Sequence, residues 1–465
     1  MCAAQPLYGK LSGIFGTKVM LLLSYTLYAV GSAICGLGQS MWQVILGRVV
    51  AGTGGAGMVC LVSILITGLV PLRQVAEYRS YVNIIQTLGR SIGAPVGGLM
   101  TEKFGWRATF AALGSATVLG MVIVGWQLED EASDSAPSLT AGIRIHDSNW
   151  ARLKRVDLLG SLLLAFTITT ALLVFTFGGE KLPWSSPTLI AILATALSGA
   201  MAFYVWETHY ACEPIFPPSL LIHRAVWTSY LLLLLQNAAQ AAATLSVPMF
   251  FQITQGLDAS AAGMFLLPSV VGNTIGALGT GNYIKRTGRY KIAGVLSGMC
   301  GMLGYGLMIA RWDATPAFNP FWDDTYLILA GLATGMAHSA AFVVLTAGIA
   351  SLENDKAANS EKTGIASSGI YLSGNIGGVV GLCLSSTVLH TILRRELSES
   401  LDEATMRKAM GDVGFVQSLE KGSRLWTIVI SSYVNGFRGT FWEAAACSAL
   451  TIVVGLLVNE QSLSE

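Results

Sequence analysis

Residues 8–18 read YGKLSGIFGTK, three glycines and two lysines set directly before an apolar run at 19–39. Glycine allows a tight turn, and lysines favour the headgroup region beside a membrane. The stretch therefore reads as a short loop between two membrane helices, although only seven residues precede it.

Outward from this loop the chain stays apolar. Hydrophobic residues make up 53% and charged ones 12% of the 465 residues, against roughly 25% charged in soluble domains. Apolar runs recur at 19–39, 42–70, 81–100, 109–126, 158–177, 188–206, 226–251, 261–284, 292–310, 326–350, 365–393 and 441–458. Each is long enough, at 1.5 Å of rise per residue, for a helix to cross a hydrocarbon core of roughly 30 Å. With no water to satisfy backbone groups there, an all-α integral membrane fold with twelve spans is expected.

Short loops set the orientation. With the opening loop in the cytosol, the inside segments hold fifteen Lys and Arg, among them Lys10, Lys18, Arg73, Arg79 and Lys285, and the short outside loops hold four: Lys103, Arg107, Lys181 and Arg311. Basic residues concentrate on the cytosolic side of membrane proteins, so the first residue is placed inside. The outer segment 394–440 dissents with seven more, balanced by acids.

A net charge of +1 gives no basis for nucleic-acid binding. The seven cysteines form no CxxC pair, which points to packing residues and to no metal site. No phosphate-binding loop or nucleophile motif is present, so neither an enzyme nor a bound cofactor is expected.

Four motifs stand in order: GKLSGIFGTK at 9–18, ILGRVVAGTGGAGM at 45–58, GRSIGAPVGG at 89–98 and GWRATF at 105–110, with a weaker echo of the first, GNYIKRTGRYK, at 281–291. Together they resemble the loop, arginine-glycine, antiporter and sixth-helix motifs of the major facilitator superfamily. The wording SILITGLVPLRQVAEYRSYVN at 63–83 resembles fungal members of the fourteen-helix drug:proton antiporter branch, including a subset similar to vacuolar basic amino-acid transporters. The resemblance implies two pseudo-symmetric helix bundles with an extra central hairpin, twelve spans here of an expected fourteen, the first helix and most of the second being absent. The expected units are an N-terminal bundle (1–126), a cytosolic linker (127–156), the two-helix hairpin (157–207), a Pro-rich connector (208–225) and a C-terminal six-helix bundle (226–465).

The resemblance also implies roles. Arg48 matches an arginine that influences proton transfer, and Gly89, Gly93, Pro95 and Gly97, with Arg90 among them, match the antiporter motif. Gly9, Lys10, Gly16 and Lys18 match the cytosolic gate loop, though Gly13 stands where that motif has Asp and Thr17 where it has a basic residue. Taken by themselves, Gly89, Gly93 and Gly97 share one helical face that permits close helix packing, and a structural contact to backbone carbonyls is the alternative for Arg48.

The residues add a second set. No carboxylate is expected deep in a span, since Asp157, Glu207 and Glu443 fall at the ends of the apolar runs. Polar residues at mid-depth are the substrate-cavity candidates: Asn83, Gln86, Gln236, Asn237, Gln240, Asn273, His338, Tyr371 and Asn375. An interhelical hydrogen bond explains any one of them equally well. The set is uncharged, which suits a neutral or amphipathic organic molecule. The expectation is a monomeric secondary transporter driven by the proton gradient, exporting a small metabolite, toxin or drug across the plasma membrane. Vacuolar basic amino-acid uptake and a non-transporting membrane sensor stay open as alternatives.

Overall fold

The computed structural model describes residues 4–70, 72–128, 157–178, 185–210, 218–312, 319–350, 356–420 and 422–461. Residues 129–156 of the linker and 211–217 of the connector lie outside that set. The described residues fold into helices: α1 (Gln5–Phe15), α2 (Thr17–Leu37), α3 (Met41–Leu69), α4 (Leu72–Phe104), α5 (Trp106–Gln127), α6 (Leu158–Phe177), α7 (Pro187–His209), α8 (Arg224–Gln255), α9 (Leu267–Thr287), α10 (Lys291–Arg311), α11 (Leu327–Ala350), α12 (Lys356–Ser398) and α13 (Arg424–Leu457), with a few short turns of helix between them.

The stretch at 8–18 is not a loop. It is mostly the second half of α1, closed by Gly16, whose φ of +89° is open to glycine and turns the chain directly into α2. Gly9 and Lys10 are buried helical residues, and Lys18 sits in the first turn of α2.

Eleven helices among the described residues are long and apolar enough to cross a membrane, against twelve apolar runs. The difference is α4, a continuous 33-residue helix whose interior carries Asn83, Gln86, Arg90 and a series of glycines. The last helix also departs from the reading. It begins at Arg424, not Phe441, and the segment 394–440 read as an outer loop holds the end of α12, two short helices at Glu403–Gly411 and Val413–Ser418, and the start of α13.

Helices α1 to α5 pack mainly through α2 on α3 and α2 on α5; α8 to α13 pack through α9 on α11, α10 on α13 and α8 on α12 and α13. Lipid tails are as apolar as leucine, so these contacts rest on close packing more than on escape from water. The α9–α11 crossing shows the means. A Cβ at Gly272 or Gly276 would lie 2.0 or 2.4 Å from a backbone oxygen of α11, and one at Gly331 or Gly335 would lie 1.9 or 2.1 Å from one of α9. Only glycine on both sides lets the two backbones touch.

At the end of the second bundle near Trp312, Phe250, Phe251, Phe437 and Phe441 gather around that indole in a fully buried cluster. Phe250 and Phe441 bring their rings to 4.8 and 5.6 Å from it. Helices α6 and α7 form a hairpin pinned by Asp157, which caps α6 by accepting from the Gly160 N–H at 2.8 Å and accepts the Trp206 indole N–H at 2.8 Å.

Candidate functional site between the two bundles

Two seams join the bundles: α4 lies against α9 and α11, and α1 lies against α12. In an α-helix positions four apart share a face, and α4 turns Arg79, Asn83 and Thr87 toward the second bundle in this way, with Ser80 beside them.

The contacts form a ladder along about 15 Å of α4. Lys285 of α9 donates to Glu77 at 2.7 Å, and this bond holds the Glu77 carboxyl below its ordinary range. Ser80 donates to the Ala277 carbonyl at 2.6 Å and lies 3.1 Å from the Ser339 hydroxyl of α11. Asn83 donates from Nδ2 to Asn273 Oδ1 at 2.7 Å, and Thr87 donates to the same oxygen at 3.2 Å. The second seam is closed where Asn375 of α12 donates to Gln5 of α1 at 3.1 Å.

Arg79 is the centre of the first seam. It is 4% exposed. Its guanidinium donates to the Tyr371 hydroxyl of α12 at 2.7 Å, to the Ser63 carbonyl of α3 at 3.0 Å and to the Ser63 hydroxyl, while its Cζ lies 3.7 Å from the centroid of the Phe342 ring on α11. No carboxylate pairs with it among the described residues. Planar hydrogen-bond donors and an aromatic face replace the counter-ion, a combination open to arginine and closed to lysine.

Within the second bundle a smaller polar group lies beside the seam. Gln240 donates to the Ser269 hydroxyl at 3.2 Å and accepts from Thr334 at 3.1 Å, and His338 donates from Nδ1 to the Thr334 carbonyl at 2.9 Å. Asn237 bonds its own helix at Leu233, and Gln236 is fully buried with its amide 3.4 Å from the Ser297 carbonyl. Gln86 is half-buried on α4. The structure therefore brings Asn83 to Asn273, and Gln240 close to His338 through Thr334. It engages Gln236 and Asn237 inside their own bundle.

Other sequence candidates fall elsewhere. Arg48 is exposed on α3, 5.7 Å from the Phe110 ring. Gly89, Gly93 and Gly97 do not mediate a close helix approach, for nothing lies within 4 Å of where their Cβ atoms would be. The side chains of Arg90 and Pro95 lie outside the described set.

The sequence places Arg79 in a cytosolic segment; in the structure it is instead a buried helical residue. The i, i+4, i+8 pattern of Arg79, Asn83 and Thr87 was the signal available in the sequence. Phe342 carried none, being one aromatic in an apolar run.

The profile of the Major Facilitator Superfamily matches residues 1–210. A vacuolar membrane amino acid uptake transporter, fnx2 of Schizosaccharomyces pombe, is 30% identical across 99% of this chain and 76% of its own length. The chain belongs to the major facilitator superfamily. The multidrug resistance protein fnx1 of the same yeast is 29% identical across 94% of this chain and 80% of its own. Among solved structures, the human organic anion transporter MFSD10 shares the fold with a TM-score of 0.57 at 13% identity, covering 98% of this chain and 80% of that one. Major facilitator proteins are transporters and not enzymes, and a multi-pass membrane protein with a small-molecule substrate follows from the family.

Proposed function

We propose that this chain is a proton-coupled exporter of a small organic molecule, working by alternating access as a member of the fourteen-helix branch. The observation that carries the reading is the ladder of Glu77, Arg79, Ser80 and Asn83 on α4. It closes one end of the interface between bundles, the end where the basic loops place the cytosol, while the glycine face of α4 beyond residue 88 stands open. A seam of hydrogen bonds and one modest ion pair can separate and reform, whereas the glycine-locked α9–α11 contact moves as one piece.

The cavity candidates next to the seam are Asn83, Gln86, Gln240, Asn273 and His338, all without formal negative charge. This chemistry fits a neutral or amphipathic solute with several hydrogen-bonding groups. We place the protein in the plasma membrane as a monomer. The similarity to fnx2 supports a second reading, amino-acid uptake at the vacuole, although none of the polar residues beside the seam offers a cationic amino acid an acidic partner.

Purified full-length protein in liposomes under an imposed pH gradient separates the readings. Gradient-dependent movement of fluconazole, a neutral probe, with no movement of lysine supports export. Lysine movement alone selects the second reading, and no flux of any solute selects a sensor.

A further inference from the structure

Glu443 is the carboxyl whose placement differs most from its reading in the sequence. Because α13 starts at Arg424, Glu443 lies nineteen residues from one end and fourteen from the other, about 21 Å of helix away from Leu457. One carboxyl oxygen accepts from the Ser385 hydroxyl of α12 at 2.6 Å, and the other is buried with no hydrogen-bond partner. No ion pair joins it to any described residue.

The groups around it carry no compensating charge. From α10 the titratable neighbour is Tyr305, whose hydroxyl donates to the Ala239 carbonyl at 2.9 Å; on its own helix it is Cys447. On the α8 side the polar contact is Ser246 with Thr440 at 2.6 Å. Arg438 stands five residues earlier on α13. A carboxylate with one buried, unpartnered oxygen at this depth is heavily penalised, and the uncharged acid is not.

We infer that Glu443 carries a proton through the transport cycle, holding it in the conformation seen here and releasing it to water when α12 and α13 shift. The step is a plain proton transfer: the O–H bond of the acid breaks, the proton goes to water, and the carboxylate left behind keeps the Ser385 bond until it is protonated again from the opposite side. Helix α12 gives the path to the seam, because Ser385 shares it with Tyr371 and Asn375, which hold Arg79 and Gln5. The inference rests on proton coupling as proposed above.

Two readouts on the reconstituted full chain test it. The infrared difference spectrum between acid and alkaline buffer shows a carboxylic-acid carbonyl band in the wild type that is missing in Glu443→Gln. Fluconazole exchange across liposomes with no gradient stays near the wild-type rate in Glu443→Gln, while accumulation driven by a pH gradient is lost. Should Glu443→Gln fail to fold, Glu443→Asp replaces it, with a displaced pH profile for the driven flux as the expected result. A Gln variant that keeps both the band and the driven accumulation overturns the inference. A wild type that ignores the gradient overturns proton coupling itself, and the inference with it.

Discussion

Arg79 of α4 and Phe342 of α11 lie face to face, the guanidinium carbon 3.7 Å from the ring centroid, and this contact joins the two bundles without any carboxylate. A cation over an aromatic ring in a desolvated place contributes about 2 kcal/mol. The hydrogen bonds to Ser63 and Tyr371 fix the plane of the guanidinium over that ring.

Arg79→Lys is expected to lower transport by roughly tenfold or more, equivalent to about 1.4 kcal/mol in a barrier, since an ammonium cannot bond both partners and lie flat on Phe342. Arg79→Met is expected to keep the folded bundle but abolish cycling, because an apolar side chain of similar length replaces a buried cation without its desolvation cost. Flux together with the melting temperature of the purified variants checks both.

The Glu77–Lys285 pair lies at the solvent end of the ladder, partly exposed on both sides. Glu77→Lys and Lys285→Glu each place like charges together and are expected to favour separation of the seam, while the double swap restores closure. Since the Lys285 bond holds the Glu77 carboxyl below its ordinary range, its contribution is complete at neutral pH and is lost only as pH falls below the ordinary carboxylate range through the lowered value. Accessibility of a reporter thiol in the seam, followed against pH and salt, measures this.

Gly276→Leu is expected to prevent correct folding, because the backbone of α11 already occupies the space. Gly93→Ala meets nothing within 4 Å and is expected to leave the melting temperature unchanged. If Gly93→Ala nevertheless stops transport, its role belongs to a conformation other than this one.

Asp157→Ala removes both a helix cap and the bond that ties α6 to α7 through Trp206. Loss of a cap alone costs about 1 kcal/mol. A lowered melting temperature with exchange activity retained is the expected outcome.

Hydropathy made most spans legible, since a helix in lipid must be apolar over its whole length. It failed where polar residues interrupt a helix for a reason. Asn83, Gln86 and Arg90 lower the mean hydropathy of α4, so that the run at 81–100 is legible in the sequence while the whole helix is not among the eleven most apolar ones. Asn435 and Arg438 hide the first part of α13, which put Glu443 at an end and Arg424 in a loop. The glycine-containing motifs located the family, but a single sequence holds no record of what faces what: Asn83 and Asn273 are 190 residues apart, and only the fold brings their amides to 2.7 Å.

That amide pair offers the most direct test of alternating access at the α4 seam. With Asn83→Cys and Asn273→Cys introduced together, oxidation is predicted to cross-link α4 to α9 and stop flux in liposomes, and reductant is predicted to restore it, while the flux of each single variant does not respond to oxidant. A cross-linked protein that transports at the rate of the reduced one would contradict the account, because the seam would then stay closed throughout the cycle.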